Sequence, residues 1–423
     1  MSKELAELAF DLHSGLSSFD VPDFEDLSTV GMAATLAVHI KGLGEIKYDV
    51  LRGVCSYYMG IPTLALENIL NVLSDIGFVR IIKSGRRIEA IIPDIPVFDD
   101  VYQGVGDYLK SDCRLNEHEQ VTLDILKSLK EAPRNKDSLF NTLGADKKVF
   151  DRTLEIGTKS GIVSEHLARG KNILASPFYF ADNLDGFADA AASAGANNIK
   201  KTLTHIQDNQ GWPLSLIASR GEIGGTKLDP VQLSLVQKLS AEGVIKPPTI
   251  RFGGKTESFI FTPRPGGARL NAANREIYER AMALIAAVRK GQLLPDQYRI
   301  KSPTAILRKL RDQGYIGSSS EASNQYHNLV VLRVGGLRPS RYGFSFHLHK
   351  TPENESALSL AINLLSTGSM SGMEVNDDAR LAMTKDENYI QSLISARELK
   401  SRAEFIKNEE ADHEFQQLLL KFD

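Results

Sequence analysis

Lysine and arginine side chains recur at helical spacing in two stretches of this 423-residue chain. They are Lys147, Lys148, Arg152 and Lys159 in the first stretch, and Arg308, Lys309 and Arg311 in the second. At about 100° per residue, they fall on or beside the face opposite the apolar positions of each helix. A helix with a basic outer face can neutralise phosphates, which predicts contact with a nucleic acid. The alternative is a basic face that only meets water.

More basic residues stand in segments with the alternating pattern of β-hairpins. They are Arg169, Lys171, Arg251, Lys255, Arg333, Arg338 and Arg341. The last three are followed closely by Tyr342, Phe344 and Phe346. Arginines beside aromatic rings can hold a phosphate backbone and stack on bases. Because the three aromatic residues share one strand face, however, we expect that face to be buried core.

Other residue patterns favour no catalytic or metal chemistry. Phe252–Thr256 resembles the end of a phosphate-binding loop, but Thr249 stands where such a loop needs glycine, so we predict a hairpin turn. His347 and His349 share a strand face without a clear third ligand, and we expect no metal and no cofactor. No carboxylate pair stands out in an apolar setting. We therefore predict a protein that is not an enzyme; a composite site built from distant segments is the alternative.

Composition excludes several classes. The chain is 42% hydrophobic and 24% charged, as in ordinary globular proteins. Its two cysteines, Cys55 and Cys113, are too few for a disulfide scaffold or a cysteine-built zinc site and fit the cytoplasm. No apolar run reaches the roughly 18 residues of a membrane-spanning helix, so we predict no membrane contact.

Charge is segregated along the chain. The net charge of −3 combines −6 in residues 1–30, −7 in residues 351–423 and +10 between them. Residues 289–350 alone carry eleven bases and three acids. A basic body with acidic ends suits a protein that meets a polyanion, although acidic termini can also be simply solvated.

A weak internal repeat organises the chain. Four helical patterns end in glycine followed by two apolar residues, at Gly77, Gly161, Gly243 and Gly314, with spacings of 84, 82 and 71 residues. Apolar residues stand seven positions before each glycine, and four positions before in all repeats except the second, which has Gly157. Glycine suits the left-handed position that closes a helix. Hairpin patterns follow; for the fourth we predict strands at 329–334 and 342–348.

Helices followed by a hairpin in about 70–85 residues give each unit a resemblance to the winged-helix superfamily, a helix-turn-helix variant. The resemblance implies a helix-dominated α+β fold of tandem winged-helix domains with helical extensions at both ends. We predict an acidic N-terminal extension, four winged-helix units and a helical acidic tail. Their boundaries are 1–26, 27–110, 111–185, 186–268, 269–350 and 351–423. Unrelated α+β modules whose helices happen to end in glycine are the alternative.

The resemblance implies binding of double-stranded DNA, as a regulator or as a subunit of a larger assembly. The basic residues place that contact on repeats two and four. Repeat one shows Leu64, Asn68, Asn71 and Asp75 on its outer face, and repeat three is nearly neutral there. An interaction scaffold that binds protein partners through repeats one and three and the C-terminal helices is therefore the competing interpretation.

Overall fold

The computed structural model describes residues 2–16, 21–245, 249–252, 255–266, 270, 272–294, 299–368, 370 and 375–402. The chain folds into a helix-dominated α+β structure that divides into two compact units. The larger unit holds residues 1–38 and 96–375, and the smaller unit holds residues 39–95 and 376–423. The helix-dominated α+β class predicted from the sequence is confirmed.

Helices make up most of the regular structure in the described residues. They are α1 (Ser2–Leu16), α2 (Glu25–Ile40), α3 (Tyr48–Tyr58), α4 (Thr63–Asp75), α5 (Phe98–Ser111), α6 (Glu117–Glu131), α7 (Lys136–Leu143), α8 (Lys147–Lys159), α9 (Leu184–Ala194), α10 (Ala196–Asp208), α11 (Leu214–Arg220), α12 (Pro230–Ala241), α13 (Ala272–Lys290), α14 (Pro303–Gln313), α15 (Ala322–Val331), α16 (Pro352–Thr367), α17 (Asp377–Met383) and α18 (Glu387–Arg402). Short 3-10 helices span Pro22–Phe24 and Gly291–Leu293.

The strands are short and pair only in antiparallel fashion. They are β1 (Ile46–Lys47), β2 (Val79–Ser84), β3 (Arg87–Pro93), β4 (Arg134–Asn135), β5 (Ser164–Ala168), β6 (Lys171–Ala175), β7 (Trp212–Pro213), β8 (Glu222–Ile223), β9 (Thr226–Lys227), β10 (Thr249–Phe252), β11 (Lys255–Ile260), β12 (Tyr315–Ser319), β13 (Gly335–Ser340) and β14 (Gly343–Leu348).

The smaller unit contains the sheet of repeat one, in the order β1-β3-β2, with α3 and α4 between its first strand and its hairpin. The C-terminal helices α17 and α18 pack on α3. The close approach is visible at Gly53, where an added Cβ would lie 3.1 Å from the side chain of Ile390. The guanidinium of Arg397 lies 5.2 Å from the ring centroid of Tyr57. The described part of the acidic tail is thus docked on its own chain.

The larger unit contains the sheets of repeats two, three and four, in the orders β4-β6-β5, β10-β11-β7 and β12-β14-β13. In repeats two and three, as in repeat one, a short strand, two helices and a hairpin follow one another, and the short strand pairs with the last hairpin strand. Repeat three has an additional two-stranded hairpin, β8-β9, between its two helices. Helix α9 lies against β5 and β6.

Repeat four departs from this order. Helices α13 and α14 come first, β12 follows them, and α15 alone separates β12 from the hairpin. The strand predicted at 329–334 is wrong, because residues 329–331 form the end of α15 and residues 332–334 form the turn before β13. The hairpin turn lies at Arg341-Tyr342, where the sequence suggested Gly335-Gly336. Val330 and Val331 are β-branched residues, which favour strands locally. Tyr326 and Leu329 are both buried, and their spacing of three residues places them on one face of a helix.

The four glycines that suggested the repeat adopt the predicted left-handed conformation. Their φ angles are 78° at Gly77, 74° at Gly161, 71° at Gly243 and 78° at Gly314. The exception at Gly157 is explained by close packing: an added Cβ would lie 3.0 Å from Cγ2 of Val163, so a larger residue would displace the start of the second hairpin.

Candidate nucleic-acid interface

Helix α8 of repeat two begins at an aspartate cap, with the Asp146 side chain accepting from the backbone N–H of Lys148 at 2.8 Å. Lys147 and Lys148 are exposed at this end. Arg152 and Lys159 are also exposed but engaged within the chain. Arg152 lies 3.3 Å from Asp23 and 3.5 Å from Glu155. Lys159 lies 2.6 Å from Glu155. These partners offset much of the positive charge at the middle and end of α8.

The hairpin of repeat two is engaged as well. Arg169 donates from Nε and Nη2 to the two carboxylate oxygens of Asp189 in α9, at 2.7 and 3.2 Å. Asp189 also accepts from Lys238 of α12. The hydrogen bonds from Arg169 and Lys238 hold the pKa of Asp189 far below its usual range. Lys171 donates to the carbonyl oxygen of Ala192 at 3.3 Å. The basic side chains of this hairpin therefore bind α9 of repeat three within the chain.

In repeat three, the predicted residues Arg251 and Lys255 lie on the two strands of the hairpin, and their side chains fall outside the described residues. Phe252 and Lys255 are paired across the turn. Because strands lie on both sides of Gly253 and Gly254, the segment has the strand context expected of a hairpin turn. A phosphate-binding loop would require a helix after it.

In repeat four, the predicted basic helix is α14, which begins with the Ser302 hydroxyl accepting from the backbone N–H of Ala305. Arg308, Lys309 and Arg311 are exposed, and Arg311 lies 2.9 Å from Asp312. Helix α14 is nevertheless not the helix that leads into the hairpin. Our assignment of these three residues to that position is wrong, because Gly314 closes α14 before β12.

Helix α15 occupies that position, and Arg333 takes the place of the missing glycine. Arg333 has a φ of 57°. Its N–H donates to Val330 O at 3.0 Å, and the N–H of Val334 donates to Leu329 O at 2.9 Å. The same two bonds close the corresponding helix at Gly243, at 3.2 and 2.9 Å. A left-handed arginine is uncommon, so the glycine signal missed this helix.

Helix α15 contains no Asp, Glu, Lys or Arg residue, and its exposed side chains are both polar and apolar. Asn324, His327 and Val331 are exposed, while Tyr326 packs on Phe346 with ring centroids 5.2 Å apart. Gln325 anchors the helix by donating to Ala287 O at 2.9 Å. Sequence reasoning missed Asn324 and His327. The signal was available in Tyr326 and Leu329, which stand seven and four positions before Arg333 as the apolar positions do in the other repeats.

The hairpin after α15 exposes arginine and aromatic side chains together. Arg333, Arg338 and Arg341 are exposed, and no ion pair joins any of them to a carboxylate of the described residues. The expectation that all three aromatic residues are core is wrong for two of them. Phe346 is buried, whereas Tyr342 is 69% exposed and Phe344 is 37% exposed. Tyr342 lies in the turn itself, where the strand alternation no longer fixes its side, and Phe344 lies near the hairpin end beyond the core.

The outer face of this sheet carries a stacked pair. Tyr315 of β12 is paired with His347 of β14, and their rings stack with centroids 5.5 Å apart. Partial burial and the nearby charge of Arg338 lower the pKa of His347. Ser345 Oγ lies 3.0 Å from His347 Nε2. Among the described residues, no three His, Cys, Asp or Glu side chains form a group suited to a metal ion.

One hydrogen-bond chain has the atom order of a serine hydrolase triad. Ser164 Oγ lies 2.8 Å from His166 Nε2, and His166 Nδ1 lies 2.7 Å from Asp185 Oδ1. Ser164 Oγ also donates to the carbonyl oxygen of Ala175 at 3.2 Å. Asp185 is 92% exposed on its side chain, unlike the buried aspartate of a triad. The chain connects β5 to the first turn of α9, which is the arrangement of a structural tie.

Comparison with known proteins identified no relative of this chain. The chain matches no family model, and no curated protein matches it. Within the described residues, every helix is too short or too polar to cross a membrane.

Proposed function

We propose that this protein consists of four winged-helix modules and binds double-stranded DNA through the fourth of them. The supporting observation is the set of three exposed arginines on the fourth hairpin, none of them in an ion pair with a described carboxylate. Unpaired guanidinium groups are available to phosphates, and they match phosphate geometry with two donors each. Arg152 and Arg169 of repeat two are paired with carboxylates, and these ion pairs would have to break before either guanidinium could bind a phosphate.

The winged-helix part of the proposal is supported by the order of elements. In repeats one and two a short strand precedes two helices and a hairpin, and repeat three differs only by the β8-β9 hairpin between its helices. In all three the sheet order places the last strand between the other two. Repeat four keeps the sheet order with a single helix between strand and hairpin. In helix-turn-helix proteins, the last helix before the hairpin enters the major groove.

Helix α15 has side chains suited to that position. The Asn324 amide can donate to and accept from the edge of adenine, and the Val331 methyl groups can contact the thymine methyl. His327 offers one further polar group. Arg333, Arg338 and Arg341 would hold the flanking phosphates, which sets affinity and register. Lys147 and Lys148, exposed on α8, are a second, weaker set of phosphate contacts.

The test is fluorescence anisotropy of a labelled random duplex of about 30 base pairs, titrated at several salt concentrations. The variant R338A/R341A removes two proposed phosphate contacts, and we expect the slope of log K against log salt to become shallower by about 2. The matched control is K83A/R86A, which removes the same charge from the exposed hairpin of repeat one. Equal losses in both variants, or no binding by the wild type at low salt, would contradict the proposal.

A protein-interaction role for repeat one is the second candidate. Leu64 of α4 is 96% exposed, and Asn68, Asn71 and Asp75 are exposed on the same face without a basic residue. An acidic side chain there would face phosphates unfavourably, whereas an exposed leucine suits a protein partner. The variant L64D tests this role: a partner identified by cross-linking should be lost in L64D and retained in R338A/R341A.

A further inference from the structure

We propose that the tip of the fourth hairpin binds unpaired bases, so that the protein recognises DNA in which a duplex adjoins a single strand. This inference rests on the proposed DNA binding and assigns a ligand to Tyr342 and Phe344, which that function does not use.

The tip presents a ring and a cation side by side. The guanidinium carbon of Arg341 lies 5.7 Å from the ring centroid of Tyr342, which is the separation of a cation–π pair. Tyr342 makes the hairpin turn, and Phe344 follows at the start of β14. Both rings are accessible from solvent, so neither is needed to complete the core under the hairpin.

The face of the same sheet opposite Phe344 carries a further aromatic pair. Tyr315, 42% exposed, stacks on His347 on the outer face, where Arg338 also lies. Charge complementarity favours a nucleic acid as the occupant. Residues 314–350 contain four basic residues and a single acidic one, Glu321. A protein partner would need a matching acidic surface, whereas every nucleotide carries a phosphate next to its base.

The rings select for unpaired bases on physical grounds. In a continuous duplex each base is covered on both faces by its neighbours, and only base edges are reachable from the grooves. Aromatic side chains bind a base by stacking on its face, which is open in a single strand or at a duplex end. With α15 and the arginines on the duplex, the protruding tip is placed to meet the strand where pairing stops.

The experiment compares three labelled DNA probes: a blunt 20-base-pair duplex, the same duplex with a 10-nucleotide single-stranded extension, and the extension strand alone. Affinity is measured by anisotropy for the wild type, Y342A and R338A/R341A. The matched control is L167A, which truncates another exposed apolar residue, 79% exposed on the hairpin of repeat two. Circular dichroism melting checks each fold.

We expect the wild type to bind the extended duplex about tenfold more tightly than the blunt duplex, a difference of about 1.4 kcal/mol. Y342A should lose that difference while binding the blunt duplex within twofold of the wild type, and L167A should retain it. Equal wild-type affinity for blunt and extended duplexes would overturn the inference and leave the proposed duplex binding intact. A Y342A variant that weakens both probes equally would also overturn it. Failure of the wild type to bind any probe would remove the proposed function itself.

Discussion

The guanidinium Nη2 of Arg152 lies 3.3 Å from Oδ2 of Asp23, so a predicted DNA contact is paired with the acidic segment near the N-terminus. Asp23 also accepts, through its carbonyl oxygen, from the Asn116 side chain that caps α6. The acidic segment thus contacts both the first helix and the basic helix of repeat two. Basic side chains of α8 that the sequence suggests are free to bind DNA are partly neutralised by carboxylates in the folded chain.

We predict that Arg152→Ala changes DNA affinity by less than twofold. Its guanidinium is already paired with Asp23 and Glu155, so its removal takes away little free positive charge. Anisotropy with the 30-base-pair duplex measures this, with Lys148→Ala as the matched control on the same helix. A tenfold loss of DNA affinity in Arg152→Ala alone would show that the main DNA contact lies in repeat two.

Asp189→Asn should destabilise the protein at neutral pH and not in acid. The pKa of Asp189 is held below its usual range by Arg169 and Lys238, so its charge stabilises the fold above the unfolded pKa. That contribution disappears as the pH falls through the depressed folded value. We expect a melting temperature about 2 °C lower than wild type at pH 7, since partly exposed pairs contribute little, and a difference that shrinks as the pH falls below about 4. A difference that persists unchanged to pH 2 would contradict this.

His166→Ala should lower stability without removing any hydrolytic activity. The imidazole connects Ser164 to Asp185 and so ties β5 to α9, and its loss should cost about 1 kcal/mol of unfolding free energy. Chemical denaturation measures that loss. Hydrolysis of p-nitrophenyl acetate and labelling by a fluorophosphonate are the parallel assays, with Ser164→Ala as control. Labelling of Ser164 in the wild type and not in His166→Ala would show instead that the triad geometry is catalytic.

Gly106→Ala should destabilise the larger unit. Gly106 of α5 faces the start of α1, and an added Cβ would lie 2.0 Å from the backbone oxygen of Ser2, which forces the two helices apart. Overpacking of this kind typically costs about 1–3 kcal/mol. Gly317→Ala is the matched control, because a Cβ there meets nothing within 4 Å. Equal denaturation midpoints for the two variants would show that α1 can move aside freely.

Local sequence signals predicted the helix ends that define the repeat. The four repeat glycines adopt the left-handed conformation expected of them. Such features depend on neighbouring residues alone, through caps, left-handed glycines and apolar spacing. The fourth repeat was misassigned because Arg333 adopts the conformation that glycine usually supplies.

The candidate site was only partly predictable. The sequence by itself determined the helix-dominated α+β class, the positions of the basic residues and the exposure of the α8 and α14 faces. The tertiary structure decided which charges are available: Arg152 and Arg169 meet Asp23 and Asp189 from distant segments, while the arginines of the fourth hairpin do not. Helical and strand periodicity specifies the side of an element on which a residue lies. Charge pairing depends on which elements pack together, and that is fixed only when the chain folds.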